Sequence, residues 1–140
     1  MEKLHIPVEE EEYDKPYINF DASTGKCEIS GESFPEKTED FYGRLMDWLQ
    51  QYMGEVKGPL DFTFSLSYFN TSSSKRLLHI MILLQEYVTK GGKVKAQWNY
   101  DPEDLDLEED IEDLKVISKL DIKMNPEGGE TRYKKWSDSL

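Results

Sequence analysis

The sequence predicts a two-layer α/β domain in which a mixed β-sheet of about five strands carries three helices mainly on one face. Two segments, Leu60 to Phe69 and Lys93 to Tyr100, alternate between apolar and polar residues, as strands with one buried face do. A long apolar segment with helical content lies between them. A strand covered on both faces would be a near-continuous apolar run, so the alternation predicts that the second face of the sheet is polar.

The N-terminal part of this domain is predicted to be a hairpin followed by a helix. Tyr17 to Asp21 and Lys26 to Ser30 have the pattern of short strands, and Gly25 supplies the turn between them. A helix is then expected from about Thr38, a candidate cap, to Gly54, a candidate stop. Its apolar residues keep helical spacing and define one buried face: Phe41, Leu45, Trp48, Leu49 and Tyr52.

The central part is predicted to be a parallel strand, helix and strand. The alternation of Leu60 to Phe69 places Tyr68 on the apolar face of its strand. A central core helix follows from about Thr71 to Lys90, and a glycine pair ends it before Lys93 to Tyr100. A crossover of this kind joins parallel strands and is right-handed as a rule.

The C-terminal part is predicted to add a third helix and a last strand. Asp101 is the expected cap and Pro102 the first helical residue, and the helix should run to about Leu114. Leu120 to Met124 then alternates as a strand.

Three regions follow from these patterns. Residues 1–16 contain the acidic run Glu9 to Glu12 and little apolar material, so they are predicted to be a flexible acidic arm. Residues 17–124 hold every predicted helix and strand and form the domain. Residues 125–140 are rich in glycine, serine and charge and are predicted to be a flexible tail.

Composition restricts the classes of partner. A formal charge of -12 and a pI near 4.6 disfavour nucleic acid and anionic membranes, because both would be repelled. Other proteins are the expected partners. Cys27 is the single cysteine, and the sequence shows neither a signal-peptide pattern nor a bilayer-spanning apolar run, so a reducing cytoplasm is the expected location.

Catalytic and metal-binding patterns are weak. The two histidines, His5 and His79, lie in the arm and in the long helix, and Cys27 has no sequence-marked base, so the chain is expected not to be an enzyme. The hydroxyl-rich segment lacks the pattern of a phosphate-binding loop. The acidic residues from Asp101 to Asp113 lack the glycine of a calcium-binding frame and are expected to be a solvated helix surface. No metal or cofactor is predicted.

The candidate functional site is the hydroxyl-rich segment at the start of the long helix, from Tyr68 through Asn70, Thr71, Ser72, Ser73 and Ser74 to Lys75. A helix N-terminus has unpaired N–H groups and the positive end of the helix dipole, so it suits a capping oxygen, a bound anion or a covalent phosphate. The residue types alone leave these three interpretations open, since serine, threonine and asparagine are also the preferred caps.

Four sequence features together resemble the SiaC family of bacterial regulatory phosphoproteins: Gly31 to Glu36, Asp47 to Leu49, Tyr68 to Lys75 and Trp98 to Asp101. The order of elements also resembles the STAS domains of anti-sigma factor antagonists. The resemblance implies a STAS-like regulatory domain that is phosphorylated on Thr71 by a serine/threonine kinase-like protein. A cognate phosphatase is expected to remove the phosphate.

The resemblance further implies an output. The unphosphorylated form is expected to bind and regulate a partner such as a diguanylate cyclase, and so to control cyclic di-GMP and biofilm formation. The residues that surround the phosphorylation site and contact partners are then expected to be Tyr68, Asn70, Ser72, Ser73, Ser74 and Lys75. The alternative function is a small-ligand module that binds phosphate or an anionic metabolite at the same helix N-terminus.

Overall fold

The structure, a computed structural model, describes residues 1–126. Within them, six strands form one sheet whose spatial order follows the chain: β1 (Leu4–Ile6), β2 (Tyr17–Phe20), β3 (Lys26–Ser33), β4 (Leu60–Phe69), β5 (Val94–Asn99) and β6 (Lys123–Asn125). Three helices accompany it: α1 (Thr38–Gln51), α2 (Thr71–Thr89) and α3 (Leu105–Ser118). The predicted tail lies, from residue 127 onward, outside the described residues.

The sheet is mixed, which confirms the predicted fold class. β1, β2 and β3 pair antiparallel, whereas β3, β4, β5 and β6 pair parallel. The predicted hairpin and the parallel β4-α2-β5 unit are both present. The described residues contain six strands where five were expected, because β1 was not predicted.

The strand β1 corrects the prediction of a flexible arm over residues 1–16. Its three residues pair with β2, and Leu4 and Ile6 pack against the core. The indole N–H of Trp48 also donates to the carbonyl of Glu2 at 2.8 Å. A segment this short gives no periodic signal, so its place in the sheet depends on partners that are distant in sequence.

The hairpin between β2 and β3 turns at Gly25, as predicted. Gly25 has φ 77°, which a residue with a side chain rarely adopts. A Cβ atom there would also lie 2.0 Å from the carbonyl oxygen of Pro59. Both the turn and the close approach of this neighbouring backbone require glycine.

The end of the first helix differs from the prediction. α1 continues into a π-helical turn over Tyr52–Val56, so Gly54 lies inside this turn and does not stop the helix. Lys57 ends the segment with φ 56°, and its N–H donates to the carbonyl of Tyr52 at 2.9 Å. At the start, Lys37 occupies the cap position in place of Thr38, whose hydroxyl donates to the carbonyl of Pro35.

The third helix starts one turn later than predicted. The carboxylate of Asp101 accepts from the N–H of Glu103 and organises a turn, whereas Asp104 caps α3 by accepting from the N–H of Leu107 at 3.1 Å. Asp101 and Asp104 are both suitable cap residues. The predicted cap, Asp101, is wrong. The last strand is also shorter than predicted, because pairing with β5 begins only at Lys123.

The core lies on one face of the sheet. In β4 the buried side chains are Leu60, Phe62, Phe64 and Leu66, and the residues between them are partly exposed. α2 packs against both α1 and α3. On the opposite face, polar side chains bond from strand to strand, as in the 3.1 Å contact from the Gln97 amide to the Thr63 hydroxyl. The predicted polar face is confirmed.

Candidate functional site

The hydroxyl-rich segment lies where two parallel strands end. β3 and β4 run in the same direction, so their carboxyl ends meet at one edge of the sheet, and the chain then enters α1 and α2 respectively. The N–H of Asn70 donates to the carbonyl of Ser33 at 3.0 Å across this edge. The N-terminus of α2 is thereby fixed to the end of β3.

Asn70 is the cap of α2. Its backbone is extended, and its side-chain oxygen accepts from the N–H of Ser73 at 2.9 Å. The next two side chains, Thr71 and Ser72, are exposed. The capping interpretation therefore applies to Asn70, and it leaves the hydroxyl of Thr71 accessible to solvent.

Ser73 differs from the other serines of the predicted site, because it is enclosed within the domain. Its side chain is fully buried and accepts a 2.8 Å hydrogen bond from the hydroxyl of Ser33. The Ser33 oxygen lies 2.6 Å from the hydroxyl of Tyr42, which is also fully buried. Since the Ser33 proton points to Ser73, Tyr42 donates to Ser33.

This chain of three hydroxyls joins the end of β3, the first turns of α1 and the first turn of α2. Burial raises the pKa of Tyr42 to about 12, while the nearby hydroxyls of Ser33 and Ser73, which can stabilise a phenolate, oppose the rise. Tyr42 is therefore a neutral donor at physiological pH. Ser33 and Tyr42 are not among the predicted site residues, although Ser33 lies in the Gly31 to Glu36 feature and Tyr42 follows a residue of the predicted apolar face.

A β-bulge decides the orientation of Tyr68. Gly31 pairs with Leu66 and Glu32 with Tyr68, so Ser67 is an extra residue in β4 without a partner in β3. Alternation reverses after it: Tyr68 is 50 % exposed, and Phe69 packs on the ring of Trp98 inside the domain. The predicted burial of Tyr68 is wrong, because strict alternation holds only for regular pairing.

The cations near the site differ in their surroundings. Lys75, one turn after Thr71, is exposed. Arg76 is one turn after Ser72, and its guanidinium pairs at 2.6 Å with the carboxylate of Glu39 on α1. The groove between the starts of α1 and α2 is lined by both signs of charge, with Glu36, Glu39 and Asp40 beside Lys37, Lys75 and Arg76.

Other features of the described residues add no catalytic or metal centre. Cys27 is buried, and desolvation raises the pKa of its thiol well above the usual range. No group of three or more histidine, cysteine, aspartate or glutamate residues within residues 1–126 is arranged to hold a metal ion. Among the helices in this range, none is long and apolar enough to cross a membrane.

Comparison with known proteins decides the family. Residues 8–127 match the description SiaC family regulatory phosphoprotein. This chain belongs to the SiaC family. An uncharacterized protein of Pseudomonas aeruginosa strain UCBPP-PA14 is 34 % identical over 101 residues, which span 72 % of this chain and 78 % of that protein.

Solved structures of SiaC share this fold. Apo-SiaC from Pseudomonas aeruginosa is 29 % identical with a TM-score of 0.81, and the match covers 89 % of this chain and 99 % of that one. SiaC in the crystal structure of the Pseudomonas aeruginosa diguanylate cyclase SiaD with its activator SiaC has a TM-score of 0.80 at 29 % identity, covering 87 % and 98 %. The resemblance seen in the sequence is confirmed.

For a SiaC-family phosphoprotein, the geometry of the α2 start separates the candidate hydroxyls. Thr71 and Ser72 are open to solvent, Ser74 is half-buried and Ser73 is enclosed. Thr71 and Ser72 are thus the most exposed of the four.

Proposed function

We propose that this protein is a non-enzymatic, cytoplasmic signalling protein whose unphosphorylated form binds and activates a diguanylate cyclase, and that phosphorylation of Thr71 ends this binding. A kinase-like protein adds the phosphate and a cognate phosphatase removes it. The output is then control of cyclic di-GMP and biofilm formation. The observation that carries the proposal is the exposed hydroxyl of Thr71 at the first helical position of α2, in a SiaC-family chain.

The surroundings favour Thr71 over Ser72. A phosphate on Ser72 would enter the groove, where three carboxylates (Glu36, Glu39 and Asp40) lie beside three cations (Lys37, Lys75 and Arg76), so it would have to compete with Glu39 for Arg76. The nearest arginine on that side already pairs with Glu39. Thr71 is not part of the lining of this groove, and the exposed Lys75 lies one helical turn from it.

A phosphate at Thr71 acts on the surface and leaves the fold intact. It adds about -1.5 to -2 charges and three acceptor oxygens. The helix N-terminus stabilises such a charge by about 1 kcal/mol at most, which is small beside the stability of a domain. Steric bulk and charge therefore act directly on a protein that binds at the start of α2.

Binding of a free anion is a weaker explanation of the site. The side chain of Asn70 already accepts from the N–H of Ser73, and the groove beside it holds three carboxylates as well as three cations, of which Arg76 is paired with Glu39. A dissolved phosphate would have to displace the cap or approach these acids. A covalent phosphate is held in place by its bond to Thr71 and needs no such affinity.

The test uses purified protein with the kinase-like protein and the diguanylate cyclase from the same organism. Intact-mass and peptide analysis after incubation with ATP should place one phosphate on Thr71, and Thr71→Ala should receive none. Cyclic di-GMP formation by the cyclase should rise with wild type and Thr71→Ala. It should stay near the basal rate with Thr71→Asp.

Ser72→Ala is the matched control, because it removes the neighbouring exposed hydroxyl and should behave as wild type in both assays. Modification of Ser72 alone would show that the assigned residue is wrong. Equal cyclase activation by wild type, Thr71→Ala and Thr71→Asp would exclude a switch at this position. Calorimetry with inorganic phosphate covers the ligand-binding alternative, for which millimolar or tighter affinity would be required.

A further inference from the structure

Ser33 holds the first turn of α2 at two points. Its carbonyl accepts from the N–H of Asn70 at 3.0 Å, and its hydroxyl donates to the hydroxyl of Ser73 at 2.8 Å. Thr71 and Ser72 lie between these two anchored residues, and both are exposed. We call these two bonds the Ser33 clamp. One residue of β3 therefore fixes both ends of the turn that carries the proposed phosphorylation site.

The direction of the Ser33 hydroxyl proton depends on Tyr42. The phenol oxygen lies 2.6 Å from the Ser33 oxygen, and both side chains are fully buried. With Tyr42 as the donor in this contact, the proton of Ser33 is left to bond Ser73. Because these groups are closed to solvent, bulk water cannot replace a bond that a substitution removes.

The Ser33 clamp acts where a helix is otherwise least constrained. The N–H groups of a first turn lack partners within the helix, and helix ends open more readily than helix centres. In α2, the bond from the N–H of Ser73 to the side chain of Asn70 closes the turn on itself and does not attach it to the sheet. The hydroxyl of Ser33 supplies that attachment at the far end of the turn.

We propose that Ser33, with its proton oriented by Tyr42, is a positioning residue for the phosphorylation of Thr71. This inference rests on the proposed function. The Ser33 clamp holds Thr71 in one position at the surface and keeps the hydroxyl of Ser73 inside the domain. It thereby sets both the rate of phosphorylation at Thr71 and the choice among the four neighbouring hydroxyls.

The reaction explains why a fixed acceptor matters. The Thr71 oxygen forms a bond to the γ-phosphorus of ATP, and the bond from that phosphorus to the bridging oxygen breaks. ADP leaves with the bonding electrons, and the hydroxyl proton passes to a base of the kinase. The acceptor oxygen must lie in line with the breaking bond, so a displacement of about 1 Å can lower the rate by about 100-fold.

The test measures single-turnover phosphorylation with ATP, at a series of concentrations of the kinase-like protein of the same organism. Ser33→Ala should lower the maximal rate at Thr71 roughly tenfold, because the acceptor is held less firmly. The half-saturating kinase concentration should change by less than about twofold, because the exposed side chains of the turn are unchanged. Peptide mapping should find a larger share of the phosphate on the three serines than in wild type. Tyr42→Phe should change both quantities in the same direction by a smaller factor.

A second variant separates positioning from stability. Ser33→Ala takes away a partner of two buried hydroxyls and should lower the melting temperature. Ser33→Ala combined with Tyr42→Phe and Ser73→Ala leaves no hydroxyl of this chain unpaired, so the triple variant should regain most of the stability. Its maximal rate at Thr71 should stay as low as that of Ser33→Ala, because the attachment of the turn is still missing. If Ser33→Ala does not fold, the triple variant decides the question.

Matched controls lie away from the start of α2. Tyr52→Phe removes the hydroxyl of a buried tyrosine that donates to the carbonyl of Pro59 at 2.7 Å. Ser118→Ala removes a buried serine hydroxyl that accepts from the N–H of Leu120 at 3.2 Å. Both controls should lose stability as Ser33→Ala does, and both should keep the wild-type rate and the wild-type distribution of phosphate.

Three results would overturn the inference. They are an unchanged rate and phosphate distribution in Ser33→Ala, an equal loss of rate in the two controls, and a full recovery of the rate in the triple variant. A rise in the half-saturating kinase concentration alone would also reject positioning, since it would show that Ser33 supports binding. If wild type receives no phosphate at Thr71, the proposed function itself fails, and this result is distinct from the others.

Discussion

Tyr42 is a buried phenol whose proton joins two secondary elements through Ser33. In the folded protein burial raises its pKa to about 12, against an ordinary value of 10.0. A group that holds its proton more tightly when folded stabilises the fold fully below its unfolded pKa. That contribution is lost as the pH rises through the folded value.

We therefore predict a difference in alkaline stability between wild type and Tyr42→Phe. The difference in free energy of unfolding should be constant below about pH 9.5 and should fall by about 2 to 3 kcal/mol between pH 10 and pH 12. Denaturant titrations at a series of pH values measure it. Both chains should carry Cys27→Ala, because the buried thiol of Cys27 also has a raised pKa. A difference that does not vary with pH would show that folding does not raise the pKa of Tyr42.

Sequence patterns identified the right segment at this scale and assigned some side chains wrongly. The cap and the exposed hydroxyls of Asn70 and Thr71 follow from local preferences, which sequence carries. The burial of Ser73 depends on Ser33 and Tyr42, forty and thirty-one positions earlier in the chain. Ser72, Ser73 and Ser74 are consecutive in the sequence. Nothing local indicates which of them is buried against a distant hydroxyl.

The start of α2 is the element whose stability bears most directly on the site. Asn70→Ala removes the acceptor for the N–H of Ser73, so the free energy of unfolding should fall by about 1 kcal/mol. Amide exchange in the first turn should become faster, since that turn opens more easily. Chemical denaturation and hydrogen exchange measure these two effects.

Asn70→Asp is the paired variant for this prediction. It keeps a capping oxygen and adds a negative charge at the positive end of the helix dipole, so it should match or exceed the wild-type stability at neutral pH. Equal losses for alanine and aspartate would show that the amide nitrogen of Asn70 matters more than its oxygen.

Element types were predicted better than element ends. The two long alternating segments became β4 and β5, and the long apolar segment became α2. The predicted ends are wrong where two residues have similar capping preferences, as at Asp101 and Asp104. They are also wrong where a single inserted residue changes the strand pairing, as at Ser67. Local sequence preferences suit both aspartates equally and give no sign of the inserted residue. They therefore cannot predict where these elements end.

At the scale of the whole molecule, β1 is expected to contribute measurably to stability. Deleting residues 1–6 removes the partial burial of Leu4 and Ile6 and the acceptor for the Trp48 indole. The free energy of unfolding should fall by about 2 to 4 kcal/mol, from two partly buried side chains and one hydrogen bond. Calorimetry or urea titration of the shortened chain measures this loss.

A second truncation tests the predicted tail. A chain ending at Pro126 keeps every described strand and helix, so its unfolding midpoint should lie near that of the full chain. It should also still be phosphorylated at Thr71, because the start of α2 is retained. A large loss of stability would show that residues 127–140 contribute to the fold.

The two-layer α/β class could be predicted for the whole molecule because it depends on repeated, independent signals. The alternating strands, the apolar helix between them and the polar second face each predict the same fold class. An error in one of these signals does not change what the others predict. The acidic arm was misjudged because charge dominates its composition. Two apolar residues on a three-residue strand hardly change the composition of the segment, yet they extend the sheet by one edge strand.

The strands lie in the sheet in the order in which the chain is synthesised. Each strand leaving the ribosome therefore finds its neighbour already made, and no earlier strand has to wait for a later one to be inserted between it and its partner. Assembly can advance from the N-terminus in steps, beginning with the hairpin of β2 and β3. The contacts that fix the start of α2 come from β3 and α1, which precede it in the chain, so none of them requires β5, α3 or β6.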